Sequence, residues 1–76
     1  MNEIRLLEAK RNKVYKIKRL EVESADAQRF LKNIGISGGE DISIVQSNFG
    51  KSAFLVNISG TNYALDKIVC NGIFVE

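Results

Sequence analysis

The residues able to do chemistry are few, and each is poorly placed to do it. Cys70 is the one thiol in the chain, and histidine is absent. Without imidazole, a Ser–His–acid or Cys–His arrangement cannot be built, and the commonest general base and transition-metal ligand are both missing. Cys70 lies among Ile68, Val69 and Ile73, where burial raises a thiol pKa and leaves sulfur as an inert apolar group. A single soft ligand cannot make a zinc or iron–sulfur site within the chain. Glu40 and Asp41 are neighbours, but consecutive strand residues face opposite sides, so they read as a solvated loop-to-strand junction and not as an acid/base pair. Gly35, Gly38 and Gly39 follow a helix and lead into a strand, the reverse of the strand–loop–helix order that aims N–H groups at a phosphate. No catalytic residue, cofactor or metal site is expected. The carboxylates offer oxygen donors alone, a weak set for a transition metal.

What remains is charge and one aromatic. Residues 1–20 carry seven basic and two acidic residues, a net +5, whereas residues 21–76 carry four basic and seven acidic, a net −3. Such a split steers an acidic partner towards one edge; equally, lysines on solvent-facing strand positions keep a small sheet soluble and discourage edge pairing. Phe49 stands near the tip of the 46–52 loop, where an aromatic either anchors a partner or folds back over the end of the domain. The candidate partner-binding residues are therefore Lys10, Arg11, Lys13, Lys16, Phe49 and Lys51. Lys18 and Arg19 extend the basic run, which makes a small nucleic-acid-binding β-barrel the alternative. Against it, the whole-chain excess is only +2 and Tyr15 is the single aromatic in that run, a poor stacking platform for single strands.

The elements that must position these residues follow from periodicity. The chain has 76 residues, 45% of them hydrophobic, with no Trp and no Pro: one domain, with a core supplied mostly by Ile and Val, which suits strands. The first eight residues suit a short turn or strand. Residues 13–22 read as a long strand, with a bulge between Val14 and Ile17 if both are buried, because they differ in parity. Ser24 as N-cap, Asp26 in the first turn and Gly35 at the end frame the one clear helix, near residues 25–34. Its apolar stripe is Ala27, Phe30, Leu31 and Ile34, with Gln28, Arg29 and Lys32 outside. Ile42 and Ile44, then Phe54, Val56 and Ile58, alternate as strands. Ser59-Gly60-Thr61-Asn62 is a hairpin turn leading to Tyr63 and Leu65. Residues 66–71 make a short connection that suits one helical turn, and 72–75 a last strand. Five short strands and one helix in so short a chain require strong curvature, hence a small, partly closed barrel.

The segment from Arg29 to Ile42, RFLKNIGISGGEDI, resembles the R-L-x-x-L-G-(hydrophobic)-x-x-G-x-x-I segment of the FeoA family, small cytosolic accessory proteins of ferrous iron uptake. Phe30 or Leu31, Ile34, Gly35, Ile36, Gly39 and Ile42 hold the key positions. Val14 and Ile17, Gly60 before Tyr63-Ala64-Leu65, and Cys70, Ile73 and Val75 continue the order, so the resemblance spans residues 6–75. There are departures: Lys10-Arg11-Asn12 replaces an opening Pro-Gly turn, Gly38 replaces a proline, and Asp66 stands where a basic residue is common. The resemblance implies an SH3-like five-stranded barrel with one inserted helix. It also implies a non-catalytic, regulatory role in the cytoplasm, through binding the GTPase region of the FeoB-type membrane iron transporter. No signal peptide and no membrane span are read in the chain, and no nucleic-acid partner is expected on this reading.

Overall fold

The basic strand is shorter than its charge run and changes partners along its length. In the computed structural model, which describes residues 3–36, 38–49 and 53–76, β2 runs Tyr15–Leu20. Its first residues pair with β3 (Asp41–Phe49), Tyr15 opposite Ile42. Its last residues pair with β6 (Ile73–Val75), Leu20 opposite Ile73. The bulge expected between Val14 and Ile17 lies instead between Ile17 and Arg19, where the strand bends away from one partner towards the other. Val14 is 64% exposed, and Tyr15 and Ile17, which share parity, point inward in its place.

With β1 (Ile4–Arg5), β4 (Ala53–Ile58) and β5 (Thr61–Asp66), the sheet is antiparallel throughout its ladders, in the order β1-β6-β2-β3-β4-β5. Six strands replace the expected five because Ile4–Arg5 (β1) pairs with Val75 and Phe74 before a 3-10 turn at Leu6–Glu8. β3 and β4 (Ala53–Ile58) are offset by bulges, the first placing Val45 between the Ile44–Val56 and Gln46–Leu55 pairs. That extra residue leaves both Val45 and Gln46 exposed while Ile42 and Ile44 stay buried. β4 and β5 (Thr61–Asp66) form a hairpin in unbroken register from Ile58–Thr61 to Ala53–Asp66. Ser59 and Gly60 both have positive φ, +51° and +94°, as a two-residue primed turn demands.

The helix α1 (Ala25–Asn33) forms as its caps predict. Ser24 Oγ accepts from the Ala27 N–H, and Gly35 leaves at φ +88°. Its buried centre is Leu31, flanked by half-buried Ala27 and Ile34; Phe30 sits one step off that line and is exposed. The connection after β5 is a second helix, α2 (Lys67–Asn71). Asp66 caps it, its carboxylate accepting from the Ile68 and Val69 N–H groups. The Asp66 side chain thus has a local structural role as the cap of α2. α2 packs on the 3-10 turn and on β5. Inside the curl, Leu6, Ile17, Ile42, Val56, Leu65 and Ile73 form one core with Leu31. Each such side chain contributes about 1.5–3 kcal/mol of burial.

Candidate partner-docking site

The cations of the first twenty residues divide into two groups. On β2, Lys16 Nζ lies 2.6 Å from Asp41, and Lys18 lies 3.4 Å from Glu76. Arg19 bonds Glu3 at 2.9 Å, pairs with Glu21 and lays its guanidinium over the Phe74 ring at 3.9 Å. Arg5 covers the same ring at 4.7 Å while donating to the Asn71 carbonyl. The basic run on β2 is thus largely neutralised by acids drawn from distant parts of the chain, a pairing that linear charge counts do not register.

The preceding turn behaves differently. Lys10, Arg11 and Lys13 are exposed, and no acidic side chain pairs with them among the described residues. The turn is nevertheless well held. Asn12 adopts φ +63°, and its N–H donates to the Ile44 carbonyl at 2.8 Å, while Arg11 bridges to Ile44. The Lys10 N–H donates to the Tyr15 hydroxyl at 3.0 Å, and Lys13 Nζ sits 5.2 Å from the centre of the Tyr15 ring. Asparagine is among the few non-glycine residues at ease in the left-handed region, so Lys10-Arg11-Asn12 makes a tight turn without the Pro-Gly pair. Three exposed cations are thus carried on a turn whose backbone is hydrogen-bonded to β3 and to Tyr15, beside exposed Val14.

Of the other expected binding residues, Lys16 is joined to Asp41 rather than left to the turn. Phe49 ends β3 with its backbone opposite Ala53, but its side chain lies outside the described residues, as does Lys51 altogether.

A second surface was not signalled by charge. A groove of about 720 Å³ runs between α1 and the end of β2, with Leu20, Val22, Leu31 and Ile36 on its apolar side and Arg29 and Lys32 at its rim. It continues past Gln28, whose side chain donates to the Val22 carbonyl, to Ile68, 79% exposed on α2. The signal that would have found it is the apolar residues bracketing the helix, Leu20 and Val22 before it and Ile36 after it.

Reactive groups do not converge. Cys70 is fully buried, and burial, with the nearby Asp66 carboxylate second, pushes its pKa up to about 12. The carboxylate of Glu40 accepts from the Gly38 N–H while Asp41 turns to Lys16, so the two neighbours diverge. Among the described residues no three Cys, Asp or Glu side chains cluster as metal ligands, and no helix is long and apolar enough to cross a membrane.

A family model for the FeoA domain matches residues 4–76. Comparison with curated proteins gives no match. Among solved structures, an iron uptake regulatory protein (FeoA) superposes with a TM-score of 0.81 at 16% identity, over 99% of this chain and 97% of that one. FeoA of Stenotrophomonas maltophilia, a prokaryotic SH3 domain protein solved with zinc, gives 0.77 at 22% identity, over 93% and 87%. A manganese-dependent transcriptional repressor with bound manganese gives 0.87 at 19% identity, over 97% of this chain but 36% of the repressor. At these identities the structural likeness establishes the fold, an SH3-like barrel, as the sequence resemblance implies. The family rests on the domain model, which takes in nearly the whole chain: this protein belongs to the FeoA family, implicated in ferrous iron transport.

Proposed function

We propose that this chain is a non-catalytic, regulatory accessory protein of bacterial ferrous iron uptake, binding the GTPase region of a FeoB-type transporter on the cytoplasmic side of the membrane. Family membership supports the pathway, and the Stenotrophomonas relative is described as a candidate ferrous iron transport activating factor. The observation that carries the docking site is the hydrogen-bonded turn whose Lys10, Arg11 and Lys13 have no acidic counterpart among the described residues. Like charges gathered on a preformed loop lose little conformational entropy on binding and gain from an acidic partner surface. Lys16 stands at the border of this surface, already joined to Asp41. Phe49, whose backbone ends β3, and Lys51 are included in the proposed contact on the sequence reading alone.

Titration of isotope-labelled protein with the transporter's cytoplasmic GTPase domain tests this. Shifts centred on residues 9–16 are expected; unchanged spectra at high micromolar partner concentration would refute the proposal. An oligonucleotide serves as the competing ligand. Ring burial of Tyr15 and pairing of Lys16, Lys18 and Arg19 disfavour the nucleic-acid barrel. No resident metal forms part of the proposal, iron being the transporter's cargo. Submicromolar binding of anaerobic ferrous ion in calorimetry would overturn that part.

A further inference from the structure

The two ends of the sheet are guarded very differently. β1 offers two residues, and the Arg5 guanidinium lies over Phe74 and reaches Asn71. β5 offers six residues in unbroken register with β4. Its outer edge has no proline, no lysine within the strand and no bulge, and its one charge, Asp66, stands at the far end where α2 begins.

The turn geometry says which groups are free. Across a two-residue primed turn, Ile58 and Thr61 form a hydrogen-bonded pair, and bonded and non-bonded pairs then alternate. Tyr63 and Leu65 therefore turn their backbone groups towards β4, whereas Asn62 and Ala64 turn theirs outward. Both residues are exposed, and no backbone bond to another element engages them among the described residues. The side chains of Asn62 and Ala64 lie on the outer face; Tyr63, half-buried, lies on the inner one.

We infer that β5 pairs with β5 of a second copy, antiparallel, about a two-fold axis through Tyr63. In that register the Asn62 N–H and C=O meet those of Ala64 in the partner copy, and the reciprocal pair forms across the axis. The two Tyr63 rings become a cross-strand aromatic pair, a favourable neighbour in antiparallel sheets. The strand is self-complementary in charge as well. Its one ionised residue, Asp66, falls opposite Gly60 of the other copy and not opposite itself. A small side chain at Ala64 leaves the edge open to approach. The interface is isologous, as a two-fold contact must be. It is independent of the cationic turn and of the transporter.

Sedimentation equilibrium of the full chain, from micromolar to millimolar, is the primary test. The weight-average mass should climb from 8.5 kDa towards twice that value, and amide shifts on dilution should be confined to residues 60–66. Ala64→Lys and Ala64→Glu each place like charges on the same outer face, diagonally across the axis and within reach of one another. Each should weaken self-association about fivefold or more. Mixing the two variants should restore association as a heterodimer, which a folding defect would not do. A monomer at every concentration would overturn the inference. So would a dimer whose dilution shifts lie elsewhere, or variants that associate no better mixed than apart.

Discussion

The guanidinium of Arg19 lies 3.9 Å above the ring of Phe74, with Arg5 over the same ring at 4.7 Å. Phe74 belongs to β6 and Arg19 to β2, so the stack seals the outer side of the ladder where β2 bends between its two partners. Without it, a phenyl ring on that side would face water. Arg19 also pairs with Glu3 and Glu21, but exposed ion pairs are worth only about 0–1 kcal/mol.

Arg19→Ala is therefore expected to lower stability by about 1–2 kcal/mol, from a cation–π contact of about 0.5–1 kcal/mol and the lost ion pairs. Arg19→Lys should recover the ion-pair share but little of the stack, because an ammonium cannot lie flat on a ring. Urea titration of both variants, alone and combined with Phe74→Leu, checks this. The Arg19 effect should shrink when the ring is gone.

Gly72 is constrained by space and not by its dihedral angles. Its φ of −99° suits any residue, but an added Cβ would stand 2.7 Å from the Glu21 carbonyl oxygen and 2.8 Å from Val22 Cγ2. The Glu21 N–H also donates to the Gly72 carbonyl at 2.6 Å, so the two segments cannot separate cheaply. Gly72→Ala should cost about 1–3 kcal/mol, the usual range for overpacking. Gly60 is the contrast. Nothing lies within 4 Å of its added Cβ, yet φ is +94°, so Gly60→Asn should be milder than Gly60→Val. Thermal unfolding of the three variants separates the two causes.

Cys70 should be silent to alkylating reagents in the native state and reactive once unfolded. Its thiol is pushed up from 9.0 to about 12, chiefly by burial, so it is protonated at neutral pH. The unfolded chain releases this proton near pH 9, whereas the native chain holds it until near pH 12. Between these values the unfolded state binds fewer protons, and stability falls with rising pH, by at most about 1.4 kcal/mol per unit. Below pH 9 the thiol contributes no pH dependence. Unfolding free energies of the protein and of Cys70→Ala, measured from pH 8 to 11, should therefore converge as pH rises.

Local signals carried most of the fold. Ser24 and Gly35 framed α1, alternation exposed Ile42, Ile44, Phe54, Val56 and Ile58 as inward, and Ser59-Gly60 marked the hairpin. What was not legible depended on partners far along the chain. Val14 and Tyr15 exchange roles because β2 serves two neighbours. Ile4–Arg5 is a strand only because Phe74 and Val75 pair with it. Phe30 is left outside by the line that Leu31 takes into the core. At the candidate site, the basic run was plain in the sequence, but its division was not. Asp41 and Glu76, which neutralise Lys16 and Lys18, reach β2 only through the sheet order.

That division yields the sharpest test of the docking proposal. If the turn is the contact, charge reversal at Lys10, Arg11 and Lys13 should weaken binding to the transporter's GTPase domain strongly and cumulatively. Each unpaired cation should cost about 1 kcal/mol or more at low salt, a factor of about five, and less as salt screens the surface. Lys16→Glu would behave differently: it sets a carboxylate beside Asp41, losing an exposed ion pair of about 0–1 kcal/mol and destabilising β2 locally. Its effect should appear first in stability and only weakly in affinity. Binding isotherms at two salt concentrations, read beside urea titrations of the same variants, distinguish the two groups of cations. Equal affinity losses from Lys16 and from the turn would move the contact onto the strand.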